Sequence, residues 1–199
     1  MKSETSKNFS LFIIIIAFFL FIYTTIQAII IVDKTQIGTS EGIYTSYVTT
    51  SAQIEKKAKS LTKKCSTKLC KVQTVLNFVT DIPYSSETFQ RYTAKKTISQ
   101  NFGDCDDKSN LLISLLHALN IKAYFVLVPK HIFVIVPIED KRVKNIKGLW
   151  INGEKYYILE STAKGSSVGY PLKYNLDEIE VIIEPFENEK MVVEELIYR

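Results

Sequence analysis

The chain has 199 residues, 46% of them hydrophobic and 23% charged, with a formal net charge of +4. That length suits one domain plus an appendage. Acidic residues outnumber basic ones from Ala163 to Arg199, so the excess of lysine lies upstream. No Arg-rich stretch and no interleaving of Lys with aromatics occurs, which argues against a nucleic-acid partner and leaves an ordinary solvated surface.

After a short tail (1–8), Phe9 to Val32 reads FSLFIIIIAFFLFIYTTIQAIIIV without a charge. About 20 apolar residues cross a bilayer. A cleaved signal peptide is the rival reading, but its apolar core is usually about 7–15 residues and ends at a small-residue site. Here Gln27-Ala28 is the single faint candidate, and more isoleucine follows it. The length favours an uncleaved transmembrane anchor over 9–32. Lys2 and Lys7 precede the span, while Asp33 and Lys34 cancel after it. Positive-inside logic then puts the N-terminus in the cytoplasm and the rest of the chain outside it.

Residues 33–51, rich in Thr, Ser and Gly, read as a linker. Ala52 to Lys64 has helical spacing, with Ile54, Ala58 and Leu61 on one face. A second helical stripe, Val72, Val75, Leu76 and Val79, stops at Ile82-Pro83-Tyr84. A polar stretch (85–100) leads to NFGDCDDKSNLL. Ser109 to Leu119 is apolar almost all round, as a buried helix is. Ala123 to Val128 and Ile132 to Ile138 are β-rich, and Asn152-Gly153 between LWI and KYYIL is a hairpin signal. Helices first and an antiparallel meander after make the class α+β. The acidic, alternating segment 176–199 is expected to add a strand and a short helix packed on the domain.

Cys105 stands among Asp104, Asp106 and Asp107. A metal ligand, a buried packing residue and a nucleophile are the three readings. Asp104 is placed to cap a helix, with Asp107 at capping-box spacing. Cys105 would then sit in the first helical turn, where the helix dipole lowers a thiol pKa and backbone amides can hold an oxyanion. A nucleophilic thiol needs a base. His117 lies twelve residues along the same helix, about 18 Å away at 1.5 Å per residue, and cannot serve. His131 begins a strand that can pack on the helix, and Glu160 ends a neighbouring one as a candidate orienting acid. Zinc would need four convergent ligands, and CxxxxC between Cys65 and Cys70 is loose spacing. In an oxidising compartment those two cysteines would form a small disulfide; two unrelated free thiols is the equal alternative. Pairing them leaves Cys105 as the odd thiol.

GDCDDKSNLLISLLHALNIKAYFVLV, followed by HIFVIV and LWINGEKYYILEST, resembles the ordered Cys, His and acid blocks of transglutaminase-like cysteine proteins. KVQTVLNFVTDIPYSSE resembles the family's lead-in helix and Ile-x-Tyr segment, so the likeness runs from about Ala52 to Gly169. It implies a papain-like core over 52–175, in which a nucleophile helix packs on an antiparallel sheet. Cys105 would be the nucleophile, His131 the general base and Glu160 the orienting acid, with Tyr84 and Asp106 as weaker substrate or oxyanion candidates. The chain departs from the family in carrying Glu160 where Asp is usual and Phe133 where a Trp often follows the histidine. The resemblance implies transfer or hydrolysis of amide acyl groups of a protein or peptide through a thioester, without metal or cofactor. The rival is a non-catalytic domain of the same fold that binds a peptide or an envelope protein.

Overall fold

In the computed structural model, residues 2–39, 42–45, 48–85 and 92–199 are described. Helix α1 runs Lys2–Thr35. Within it Lys7–Ile29 has a mean hydropathy of 2.6, and none of this stretch is covered by protein. Those 23 residues reach about 35 Å at 1.5 Å per residue, enough for a hydrocarbon core of about 30 Å. The two threonines inside the span satisfy their own hydroxyls. Thr24 and Thr25 Oγ1 donate back to the Phe21 carbonyl at 2.9 and 2.8 Å. An apolar N-terminal helix able to span a membrane is therefore part of the fold.

The stretch expected as a linker folds in part. Strands β1 (Gln36–Thr39) and β2 (Gly42–Thr45) pair antiparallel. Tyr44 is buried, edge-on to Phe125 at 5.7 Å, with its hydroxyl 3.4 Å from Asn110 Oδ1. An aromatic between β-branched residues competes for the core even in a polar run. Four further helices follow: α2 (Ala52–Leu61), α3 (Lys68–Asp81), α4 (Ala94–Gln100) and α5 (Cys105–His117). The first two match the stripes in the sequence, and their caps explain their starts. Ser51 Oγ accepts from Ile54 N and Thr67 Oγ1 from Cys70 N. Helix α4 lies in the polar 85–100 stretch, seven residues with too little apolar periodicity to be foreseen; residues 86–91 of that stretch lie outside the described ones. A disulfide joins Cys65 to Cys70 across the α2–α3 turn, with Cα atoms 5.4 Å apart.

The sheet is a curled antiparallel one of seven strands in the order β8-β7-β3-β4-β6-β5-β9. Its strands are β3 (Tyr124–Val128), β4 (His131–Pro137), β5 (Leu149–Ile151), β6 (Glu154–Leu159), β7 (Val181–Glu184), β8 (Glu189–Lys190) and β9 (Leu196–Tyr198). Pro129-Lys130 turns β3 into β4, with Val128 opposite His131. Asn152 (φ 50) and Gly153 (φ 84) make the β5–β6 turn, both in the left-handed region that an Asn-Gly pair tolerates. Helix α5 lies on one sheet face over Ile132, Val134 and Leu159. The other face buries Phe133, Ile135 and Ile158 beneath the chain from Tyr170 onward. Because both faces are covered, these strands read as continuous apolar runs without alternation.

The acidic C-terminal segment does more than decorate the domain. A 3₁₀ turn (Leu176–Glu178) precedes β7, which pairs with β3, while β9 pairs with β5. One short segment thus supplies both edges of the sheet.

Candidate active site

Helix α5 begins as its sequence demands. Asp104 accepts from Asp107 N at 3.0 Å, and Asp107 accepts in return from Asp104 N at 3.4 Å, closing a capping box. Asp107 is fully buried and also receives Tyr92 N at 2.7 Å. Burial first, then the Asp104 carboxylate, push its carboxyl up to about 6, against the pull of the amide bonds. Gly103 has no alternative here: a Cβ would lie 2.8 Å from that of Asp107. Gly103 also bridges Tyr84, whose ring is half out in solvent. The Tyr84 phenol is raised by burial, then by Cys105 and the Asp104 and Asp106 carboxylates. Beneath this frame Lys108 is buried and donates Nζ–H to the Ile82 carbonyl at 2.7 Å.

The thiol itself overturns one expectation. In place of a lowered pKa, Cys105 is pushed up to about 12, first by burial, then by Asp106 and Asp104. The sulfur donates to Asp106 Oδ1 at 3.6 Å, while the Asp106 backbone amide pulls weakly the other way. Desolvation in a helix packed into the core outweighs the dipole of its first turn. Asp106, expected as a candidate for substrate or oxyanion contact, brings its carboxylate and not a side-chain donor to the sulfur. A carboxylate is an acceptor and repels a developing negative charge.

His131 and Glu160 are joined. His131 Nε2 lies 2.8 Å from Glu160 Oε2. The other carboxylate oxygen accepts from Thr162 N at 2.9 Å and Thr162 Oγ1 at 2.6 Å. Burial works to raise the Glu160 carboxyl, but these bonds outweigh it and hold it below its ordinary value. The sheet register explains why glutamate suits the place. Val134 pairs with Leu159, so continuing the ladder sets Glu160 opposite Phe133 and diagonal to His131. Diagonal partners stand about 7–8 Å apart, a gap that long side chains span. The extra methylene of glutamate over aspartate helps to span this gap.

Ser109, one turn beyond Cys105, links the helix to both strands. Its hydroxyl shares a 3.0 Å hydrogen bond with Ser161 and reaches the Ile132 carbonyl at 3.4 Å. Ser161 and Ile132 are the chain neighbours of Glu160 and His131. The thiol's own hydrogen bond goes to Asp106 and not to His131. One aromatic ring covers the imidazole: Tyr174 stacks on His131 at 6.0 Å (21°) and, beside it, on Phe133 at 6.3 Å (10°). Ser109 and Tyr174 were not legible as site residues, since neither belongs to a local motif; Thr162 was visible only as the residue two after the acid. His117 lies elsewhere, stacked on Phe186 at 3.7 Å. Among the described residues no group of three or more His, Cys, Asp or Glu is placed to hold a metal ion.

A family model described as the transglutaminase-like superfamily matches residues 55–153. It takes in Cys105 and His131; Glu160, Thr162 and Tyr174 lie beyond it. Two solved structures are similar. One is a candidate cysteine protease from Cytophaga hutchinsonii, at 22% identity and a TM-score of 0.44, covering 64% of this chain and 40% of that one. The other is a candidate protease from Parabacteroides distasonis, at 12% identity and a TM-score of 0.45, covering 71% of this chain and 27% of that one. The chain thus spans well under half the length of either. No curated protein sequence matches it. Through residues 55–153, the chain belongs to the transglutaminase-like superfamily.

Proposed function

We propose that the protein is a membrane-anchored, extracytoplasmic cysteine enzyme that hydrolyses or transfers amide acyl groups of protein or peptide substrates. The observation that carries this reading is the buried 2.8 Å His131–Glu160 pair, linked through Ser109 to the helix that bears Cys105. A ring nitrogen bonded to a carboxylate carries the proton, so Nε2–H faces Glu160 and the lone pair is on Nδ1. In this reading the neutral Cys105 thiol turns from Asp106 to Nδ1 and loses its proton as it attacks. The S–C bond forms, the Cys105 amide steadies the oxyanion, and His131 passes the proton to the departing nitrogen. The C–N bond breaks and a thioester remains. Water, or an incoming amine, completes the cycle through the same base.

The span Lys7–Ile29 serves as the anchor, and the disulfide suits an oxidising compartment. The domain then runs over 52–175, with residues 33–51 leading in and 176–199 completing it.

A second reading is favoured by one specific observation, the thiol held neutral by burial and by Asp106. In it the domain keeps the fold and binds a peptide or envelope protein without chemistry. Activated peptide thioesters separate the two. The full chain in detergent is expected to gain a covalent acyl mass on Cys105. His131→Ala should slow acylation by about 100-fold or more, and Cys105→Ala should abolish it. No acyl mass on the native protein, while the denatured chain alkylates normally at Cys105, would leave the binding reading.

A further inference from the structure

The sheet face turned away from the helices holds a cleft of about 190 Å³ that opens beside His131 and Glu160. Phe133 and Ile158 form one wall, Pro171 and Leu172 the other, and Tyr174 closes the end against the imidazole. Beside these apolar side chains the lining is polar, with the His131–Glu160 pair, Thr162 and the rim. On the rim Lys173 holds its ammonium 5.1 Å from the Tyr170 ring. An apolar cavity of about 150 Å³ accommodates benzene, so this cleft has room for one branched or aromatic side chain. It belongs to the same site as Cys105, because His131 and Glu160 line it and Ser109, on the helix that bears Cys105, hydrogen-bonds Ser161 beside Glu160.

Position decides which half of a substrate this side chain belongs to. In acyl transfer the proton taken from the thiol is delivered by the base to the departing nitrogen. The amine half of the scissile bond must therefore stand at His131, and the acyl half on the thiol side. By microscopic reversibility an incoming amine uses the same place. We infer that this cleft receives the side chain of the residue on the amine side of the bond, leaving or entering. It selects an apolar, branched or aromatic one, and Lys173 disfavours a basic one. This inference rests on the acyl-transfer reading above.

Two arms keep the failures apart. In the first, the full-length protein in detergent is acylated with a peptide thioester, and the acyl-enzyme is partitioned between water and added amino-acid amides. Phenylalaninamide and leucinamide are expected to capture the acyl group about tenfold or more better than glycinamide, the gain from burying one such side chain. Argininamide should do no better than glycinamide. Leu172→Arg and Ile158→Trp, two independent ways of filling or charging the cleft, should each collapse the preference. In the second, Cys105→Ser is titrated with the same amides, with binding read by saturation-transfer NMR; the same order is expected. If acyl-enzyme forms but its partition ignores the side chain, the inference is overturned and the acyl-transfer reading stands. If no acyl-enzyme forms, that reading fails, and equal binding of all four amides to Cys105→Ser overturns the cleft as well. Selective binding there would still support an apolar-amine site.

Discussion

Burial, and after it Asp106, set the resting state of Cys105. The helix start offers a thiolate an amide and a dipole, each worth a fraction of what burial and two adjacent carboxylates take away. With the thiol at about 12 against an ordinary 9.0, the folded chain keeps this proton where the unfolded chain has lost it. The shift is raised, so its stabilisation is complete below pH 9 and fades as pH climbs towards 12. Reactivity follows the same window. Alkylation of native Cys105 by iodoacetamide should be slower than in the denatured chain at neutral pH. It should keep rising with pH beyond 9, where the denatured thiol levels off. Asp106→Asn removes the adjacent charge and leaves only a weaker, neutral acceptor, so it should bring the native profile to lower pH and speed alkylation several-fold at pH 8. An unchanged profile would mean that Asp106 does not govern the thiol.

Strands β4 and β6 explain how a glutamate reaches His131 at the position where the family resemblance leads one to expect aspartate. Their ladder puts Glu160 diagonal to His131, and a Cys-His-acid order in the sequence says nothing about a diagonal. Glu160→Asp withdraws the carboxylate by about one bond, from 2.8 Å to beyond hydrogen-bond reach of about 3.2 Å. Acylation of Cys105 should fall at least tenfold, while Thr162 can still hold the shortened side chain and the fold survives. Activity equal to the native enzyme would sink the diagonal account. The depressed Glu160 carboxyl also stabilises the fold above its unfolded value, and acidification through its folded value removes that contribution. The elements themselves were uneven in legibility. The stripes of α3, the apolar α5 and the Asn-Gly hairpin were plain, because each is a local periodicity or turn. Helix α4 and the β1–β2 hairpin were not, because tertiary contacts such as Tyr44 on Phe125 settle them.

Across the molecule, the apolar N-terminal helix and the disulfide bear on the compartment together. Protein exported and held oxidised should label only at Cys105 under denaturing conditions, with Cys65 and Cys70 appearing after reduction. Closing so short a loop contributes about 2 kcal/mol, so the Cys65→Ala/Cys70→Ala pair should lower the unfolding free energy by about that amount. Free thiols at both positions in exported protein would remove the support for an oxidising compartment. Distant segments finish the body of the domain. The Arg199 guanidinium lies 4.5 Å from the Trp150 ring, and β9 pairs with β5.

By itself the sequence determined the apolar span, the helix that starts at Asp104, the antiparallel meander and the order of Cys105, His131 and Glu160. All of these are written in neighbouring residues: charge-free length, capping spacing, β-branched runs and turn pairs. Only the tertiary structure decided the state of the thiol, the partner of each carboxylate, the Ser109 link and the aromatic cover from Tyr174. Desolvation and strand register depend on what is packed against a residue from far along the chain, and no local pattern encodes that. The same limit hid the cleft, whose two walls come from strands and a crossing segment that meet only in the folded protein.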